Sequence, residues 1–251
     1  MEGEIVLCIP GPWAARNDFI GRLSAYEPKG RYVCTIMMLA DIKEKDYLSM
    51  EFHEYEGNLS HAFFMASKGK ISSENIDLLS VHKNCVYLHF PADVEAQKNR
   101  LLKYSGIIRD LGGYAVMIEP SGPAHEWGAW FSSLPAQNVF YRYGLFVVLT
   151  RDDDYYFSCG MRYFGLPDVE VPINVETSEA MEVMNQFNFW QISARPRIET
   201  GLTYSITPES PFYMIEEEPD RRYGPDDVFH NPYGVWRLTK KNEADFNGPP
   251  S

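Results

Sequence analysis

No stretch of this sequence approaches the ~20 consecutive apolar residues of a membrane-crossing helix. Its opening, MEGEIVLCIPGPW, has neither a positively charged leader nor an apolar run of secretory-signal length. Those two absences predict a cytoplasmic chain with no membrane partner. Cysteine is sparse: Cys8, Cys34, Cys85 and Cys159 sit singly in apolar, strand-like runs, with no CxxC and no histidine at ligand spacing. Reduced core thiols and no metal centre are expected from that pattern. Clusters of basic residues are missing as well. With Lys+Arg 23 against Asp+Glu 35 and a net charge of -12, the chain repels a phosphate backbone, so nucleic acid is not an expected ligand.

Catalytic signatures are equally scarce. There is no GxSxG, no phosphate-cradling glycine loop and no Cys–His pair within one motif. His125-Glu126 begins like the zinc-protease HExxH, but Ala129 occupies the position of the second histidine. The dipeptide reads instead as the first turn of a helix, where the dipole favours Glu126. Asp152-Asp153-Asp154 lacks the Gly and the distal Glu of a calcium loop and reads as a solvated turn. Glu119, Asp168 and Glu170 fall near expected strand ends, where turn and cap duties account for them. No cofactor is implied.

What the sequence does hold, at 251 residues and 45% hydrophobic, is ample core for a globular fold. Two β-branched and aromatic runs, residues 141–150 and 155–164, flank a polar tip at 151–154 and predict a β-hairpin. Gly165-Leu166-Pro167-Asp168 breaks the second run, and a helix is expected over 178–192. Upstream, strands are predicted at 4–10, 32–40, 47–55 and 85–90, with helical segments at 13–26, 59–67 and 73–81, the last capped by Ser73. Asp93 is placed to cap a long helix whose stripe includes Val94, Leu101, Tyr104 and Ile108 and which ends at Gly112-Gly113. Residues 114–118 read as another strand and 124–134 as a short helix.

The expected class is therefore α+β: two ferredoxin-like β-α-β-β-α-β halves, residues 1–91 and 113–206, joined by a connecting helix at 92–112. The halves share a topology, their sheets are largely antiparallel, and helices cover one face of each. Residues 207–251 form a Pro-rich, acidic tail, mostly irregular, from which 212–215 and 234–238 dock as extended segments. Residues 242–251 have nothing to bury and are expected to fray.

The run Gly160-Met161-Arg162-Tyr163-Phe164-Gly165-Leu166-Pro167-Asp168-Val169-Glu170, with IPGPWAARNDFIGRL near the start, resembles a bacterial family of uncharacterised domains with a GMxxFGLPDxE signature. Its members are often encoded beside toxin and secretion genes. The resemblance covers chiefly residues 113–190 and brings no catalytic residues with it. It implies a non-catalytic immunity protein that binds and neutralises a cognate secreted toxin of the type VI kind. The alternative is a small hydrolase or nucleotide-processing enzyme with a site near His125, Glu126 and Asp168. For the binding reading, Asp152, Asp153 and Asp154 supply an acidic rim and Tyr155, Tyr156 and Trp236 the aromatic anchors.

Overall fold

The computed structural model describes residues 3–55 and 57–241, which resolve into two units, one ending at Leu145 and the other beginning at Phe146. The first contains β1 (Glu4–Gly11), α1 (Arg16–Ala25), β2 (Tyr32–Cys34), β3 (Met38–Asp41), β4 (Asp46–Glu54), α2 (Leu59–Ala66), α3 (Ser73–Ser80), β5 (Asn84–Pro91), α4 (Val94–Asp110), β6 (Val116–Glu119), β7 (Ala124–His125) and α5 (Trp127–Ser133). Helix α6 (Val139–Phe146) runs to the unit boundary. The nearly all-apolar β1 is central, as such a run requires. Alternate residues point to opposite faces. On one face Phe19 of α1 meets Phe52 of β4, and Tyr104 of α4 meets Phe90 of β5. On the other, Cys8, Cys85 and Met117 pack against Leu59, Phe63 and Leu79 from α2 and α3.

The α+β class holds, but the ferredoxin-like arrangement is not the one found. The seven strands run β2-β3-β4-β5-β1-β6-β7, and every pair is antiparallel. A split βαβ unit would set the first strand parallel to the third, whereas here β5 lies between β4 and β1. Helices cover both faces of this sheet, not one. The apolar run at 32–40 folds back on itself as the β2–β3 hairpin, pairing Cys34 with Leu39 and leaving Ile36 and Met37 exposed at its tip. Ser72, not Ser73, caps α3 by accepting from the Asn75 amide. Residues 141–146, expected in a strand, belong to α6, whose start is fixed by Asn138 accepting from the Phe140 amide.

Asp93 caps α4 as expected, its Oδ1 accepting from the Ala96 amide at 2.9 Å. Asp93→Ala should cost about 1 kcal/mol, the usual value of a lost N-cap, read as a lower urea midpoint at unchanged slope. An unshifted midpoint would mean that water replaces the cap.

The second unit contains β8 (Val148–Arg151), β9 (Tyr155–Cys159), a 3-10 turn (Met161–Phe164), β10 (Asp168–Pro172), α7 (Thr177–Ala194), β11 (Thr203–Tyr204), β12 (Tyr213–Glu218) and β13 (Val235–Lys240). Its sheet runs β11-β12-β13-β10-β9-β8, antiparallel except for β10 beside β13, which is parallel. The expected hairpin is present, but its second strand stops at Cys159. Gly160 and Gly165, both at positive φ, bracket the 3-10 turn that follows. Helix α7 packs Ala180, Val183, Met184 and Phe187 on one sheet face, against Val169, Val171, Ile215, Trp236 and Leu238.

The two sheets differ in order and in strand direction, so the shared topology expected of the two halves is not observed. The expected boundaries at 91, 112 and 206 also differ from the single division after Leu145. The segments at 212–215 and 234–238 do dock, but as β12 and β13 inside the sheet, so this stretch completes the second unit instead of trailing from it. Residues 242–251 lie outside the described residues. No helix among the described residues is long and apolar enough to cross a membrane.

Candidate binding clefts of the second unit

The parallel pairing of β10 with β13 sets Glu170 opposite Arg237 on the face away from α7. Arg237 Nε donates to Glu170 Oε1 at 2.8 Å, and Arg222 donates to Glu170 Oε2 at 3.0 Å and to Asp152 Oδ2 at 2.7 Å. The Arg222 guanidinium lies over the Phe157 ring, 3.8 Å from its centroid. A buried carboxylate held by two guanidinium groups is a fixed structural unit, because removing either partner strands a charge.

Residues 219–234 fold over this end of the sheet and are pinned from both sides. Asp220 accepts from the Arg222 and Asn231 amides. Asn231 Nδ2 donates to Asp168 Oδ2 at 2.6 Å and to the Leu166 carbonyl at 3.1 Å. Arg162, itself buried, donates to the carbonyls of Val228 and His230. Asp168 also accepts from Ser158 Oγ and the Met161 amide. Burial outweighs these donors and pushes its carboxyl up to about 6.

Two clefts result. The first, ≈ 540 Å³, is bordered by Glu217, Glu218, Asp220, His230 and Tyr233. Glu218 is paired with Arg221 and Arg237, but among the described residues Glu217 carries no ion pair, and Tyr233 is 49% exposed. Carboxylates beside an exposed aromatic ring suit an ammonium or guanidinium group. The second cleft, ≈ 340 Å³, lies at the C-terminal end of α7 and includes Gln191 and Trp236.

The residues anticipated as binding determinants separate in the structure. Asp152 closes the hairpin tip, accepting from the Asp154 and Tyr155 amides. Partial burial raises its carboxyl, but Arg222 and those amides win and hold it below the usual range. Asp153 and Asp154 are exposed, and Tyr155 lies half-buried under Arg237. Tyr156 and Trp236 are core residues, 4% and 8% exposed, and the Tyr156 hydroxyl is bonded to Thr177. Neither offers a partner the open ring that an anchor requires, because α7 needs both as its packing surface.

His125 and Glu126 are occupied structurally in the first unit. His125 Nε2 meets the Leu145 carbonyl at 2.9 Å, and burial lowers its pKa. Glu126 accepts from Asn75 Nδ2 and the Ser72 amide, which hold its carboxyl below the usual range. Glu217, His230 and Tyr233 were not foreseen as site residues. Their one sequence signal is the Asp220/Asn231-Pro232-Tyr233-Gly234 turn chemistry in a stretch read as irregular. Among the described residues no group of His, Cys, Asp and Glu is placed to hold a metal. Comparison with family models, with curated proteins and with solved structures finds no match.

Proposed function

We propose that the chain is a non-catalytic binding protein of the immunity type, which neutralises a cognate secreted toxin by engaging a basic face of it through the acidic cleft of the second unit. The observation that carries this reading is that Glu217, without an ion pair among the described residues, lines the same cleft as the exposed ring of Tyr233, together with Glu218 and Asp220. A net charge of -12 adds long-range attraction for a basic partner. Charge sets the arrival rate, since attraction acts before contact, while a desolvated ring sets the lifetime. Asp153 and Asp154, exposed at the hairpin tip, add to the field without belonging to the cleft.

The test is co-purification with the product of the adjacent gene, followed by binding kinetics. Glu217→Gln should slow association, with the difference shrinking as salt shortens the Debye length below about 8 Å. Tyr233→Ala should speed dissociation by roughly tenfold, the effect of about 1.4 kcal/mol at an interface anchor. Unchanged rates in both variants would remove the cleft from the interface. Failure to co-purify would count against the immunity role itself.

A further inference from the structure

The second cleft combines features that water-filled surface dents lack. Leu166, Pro167, Pro196 and Ile198 give it apolar walls, and Gln191 and Trp236 complete it. Gln191 is 1% exposed and its Oε1 is buried without a hydrogen-bond partner. Its Nε2 is held loosely, at 3.2 Å from Asn188 Oδ1 and 3.5 Å from the Pro167 carbonyl. A modest rotation of the amide therefore turns Oε1 toward the cleft without breaking a strong bond. Trp236 is 8% exposed, and among the described residues its indole N–H meets no protein acceptor but, unlike Gln191 Oε1, is not sealed from solvent. An indole N–H without a protein partner is free to donate to a ligand, and a buried acceptor left unmet is costly. An unmet donor and an unmet acceptor bordering one apolar cleft complement a single group, the secondary amide.

A charge completes the pattern. Arg195 follows α7 at positive φ and donates through Nη2 to the Phe164 carbonyl at 2.8 Å. Among the described residues it pairs with no carboxylate, whereas its neighbour Arg197 is already bound to Glu199. On so acidic a chain, an uncompensated guanidinium at the border of a cleft favours a carboxylate ligand.

We infer that this cleft binds an N-acylated amino acid with an apolar side chain, either free or as the C-terminal residue of a peptide. Its carboxylate pairs with Arg195, its amide carbonyl accepts from the Trp236 indole, and its amide N–H donates to Gln191 Oε1. The side chain lies among Leu166, Pro167 and Ile198. The cleft volume falls in the range of small-ligand sites. This assignment is independent of the acidic cleft and of the immunity reading.

The experiment is a proton–nitrogen NMR titration of the full chain, with the Trp236 indole signal identified by its loss in Trp236→Phe. The probes are N-acetyl-leucine, its carboxamide analogue, and a pentapeptide ending in leucine with a free carboxylate. The acid, the peptide or both should move the Trp236 signal at concentrations up to about 1 mM, and the carboxamide should bind roughly tenfold more weakly. Tighter binding of the peptide would identify a protein C-terminus as the source, and tighter binding of the free acid a metabolite. Arg195→Met should abolish the preference for acid over amide. Gln191→Met should weaken binding while leaving the melting temperature equal or higher, because it removes an unmet polar atom of similar shape. A Trp236 signal that no probe moves, or equal affinity for acid and carboxamide, would overturn the inference.

Discussion

Asp168→Asn should lower the stability of the second unit by about 2 kcal/mol at pH 7, with the gap to wild type widening as the solution is acidified. The carboxylate accepts from Ser158 Oγ, the Met161 amide and Asn231 Nδ2. An asparagine must turn its own NH2 toward one of those donors, and a broken buried network of this kind costs on this order. Burial raises the Asp168 carboxyl to about 6 in the folded chain, against about 3.9 for an unfolded aspartate. The folded state therefore holds the proton more tightly. Its contribution to stability is complete below pH 4 and is lost as pH rises through 6, by something on the order of 3 kcal/mol. Carboxylates whose folded pKa is depressed, such as Asp152 and Glu126, have the opposite slope, but they are common to both proteins and cancel in the difference. Urea melts of wild type and Asp168→Asn at pH 4.5 and 7.5 measure it. A gap of the same size at both pH values would mean that Asp168 does not titrate in this window.

Gly160→Ala should be the most damaging single methyl addition in the second unit, at about 3 kcal/mol or more. Gly160 has φ 119, and a Cβ there would stand 2.2 Å from the Phe146 carbonyl oxygen and 3.1 Å from its carbon. Both neighbours are backbone, so no side chain can swing aside. Gly201→Ala is the control. It also has positive φ, at 92, but nothing lies within 4 Å of the added carbon, leaving only a conformational cost of about 1 kcal/mol. Thermal melts of the two variants should differ by several degrees. Equal losses would mean that the 159–161 backbone moves to accommodate the methyl.

What the sequence discloses follows the range of the forces involved. Local signals are legible. Asp93 caps its helix, Gly165 ends its segment as expected, although the strand itself already stops before Gly160, and α7 spans the apolar stripe expected of it. Strand partners are not legible, because pairing is decided by surfaces that meet from distant parts of the chain. The run at 32–40 has the composition of one buried strand, yet its tip is exposed because it pairs with itself. Trp236 and Tyr156, next to charged turns in sequence, look like exposed anchors until α7 is laid across them. Acidic residues near 216–220 stand out in sequence. Which of them are left without an ion pair does not: among the described residues Arg237 and Arg221 take up Glu218, while Glu216 and Glu217 have none.

The place of β13 between β10 and β12 has a consequence for a nascent chain. Strands β8, β9 and β10 and helix α7 leave the ribosome first, and until residues 235–240 follow, β10 has an open edge beside Val169 and Val171. Strand β12 emerges earlier than β13 but has no direct ladder to β10, so it cannot seal that edge. An unpaired, apolar edge is a template for another chain. Synthesis therefore passes through an interval in which the second sheet is assembled except for its keystone, and shielding by a chaperone matters most then. A chain interrupted before Val235 should accumulate as aggregate and not as a smaller folded domain.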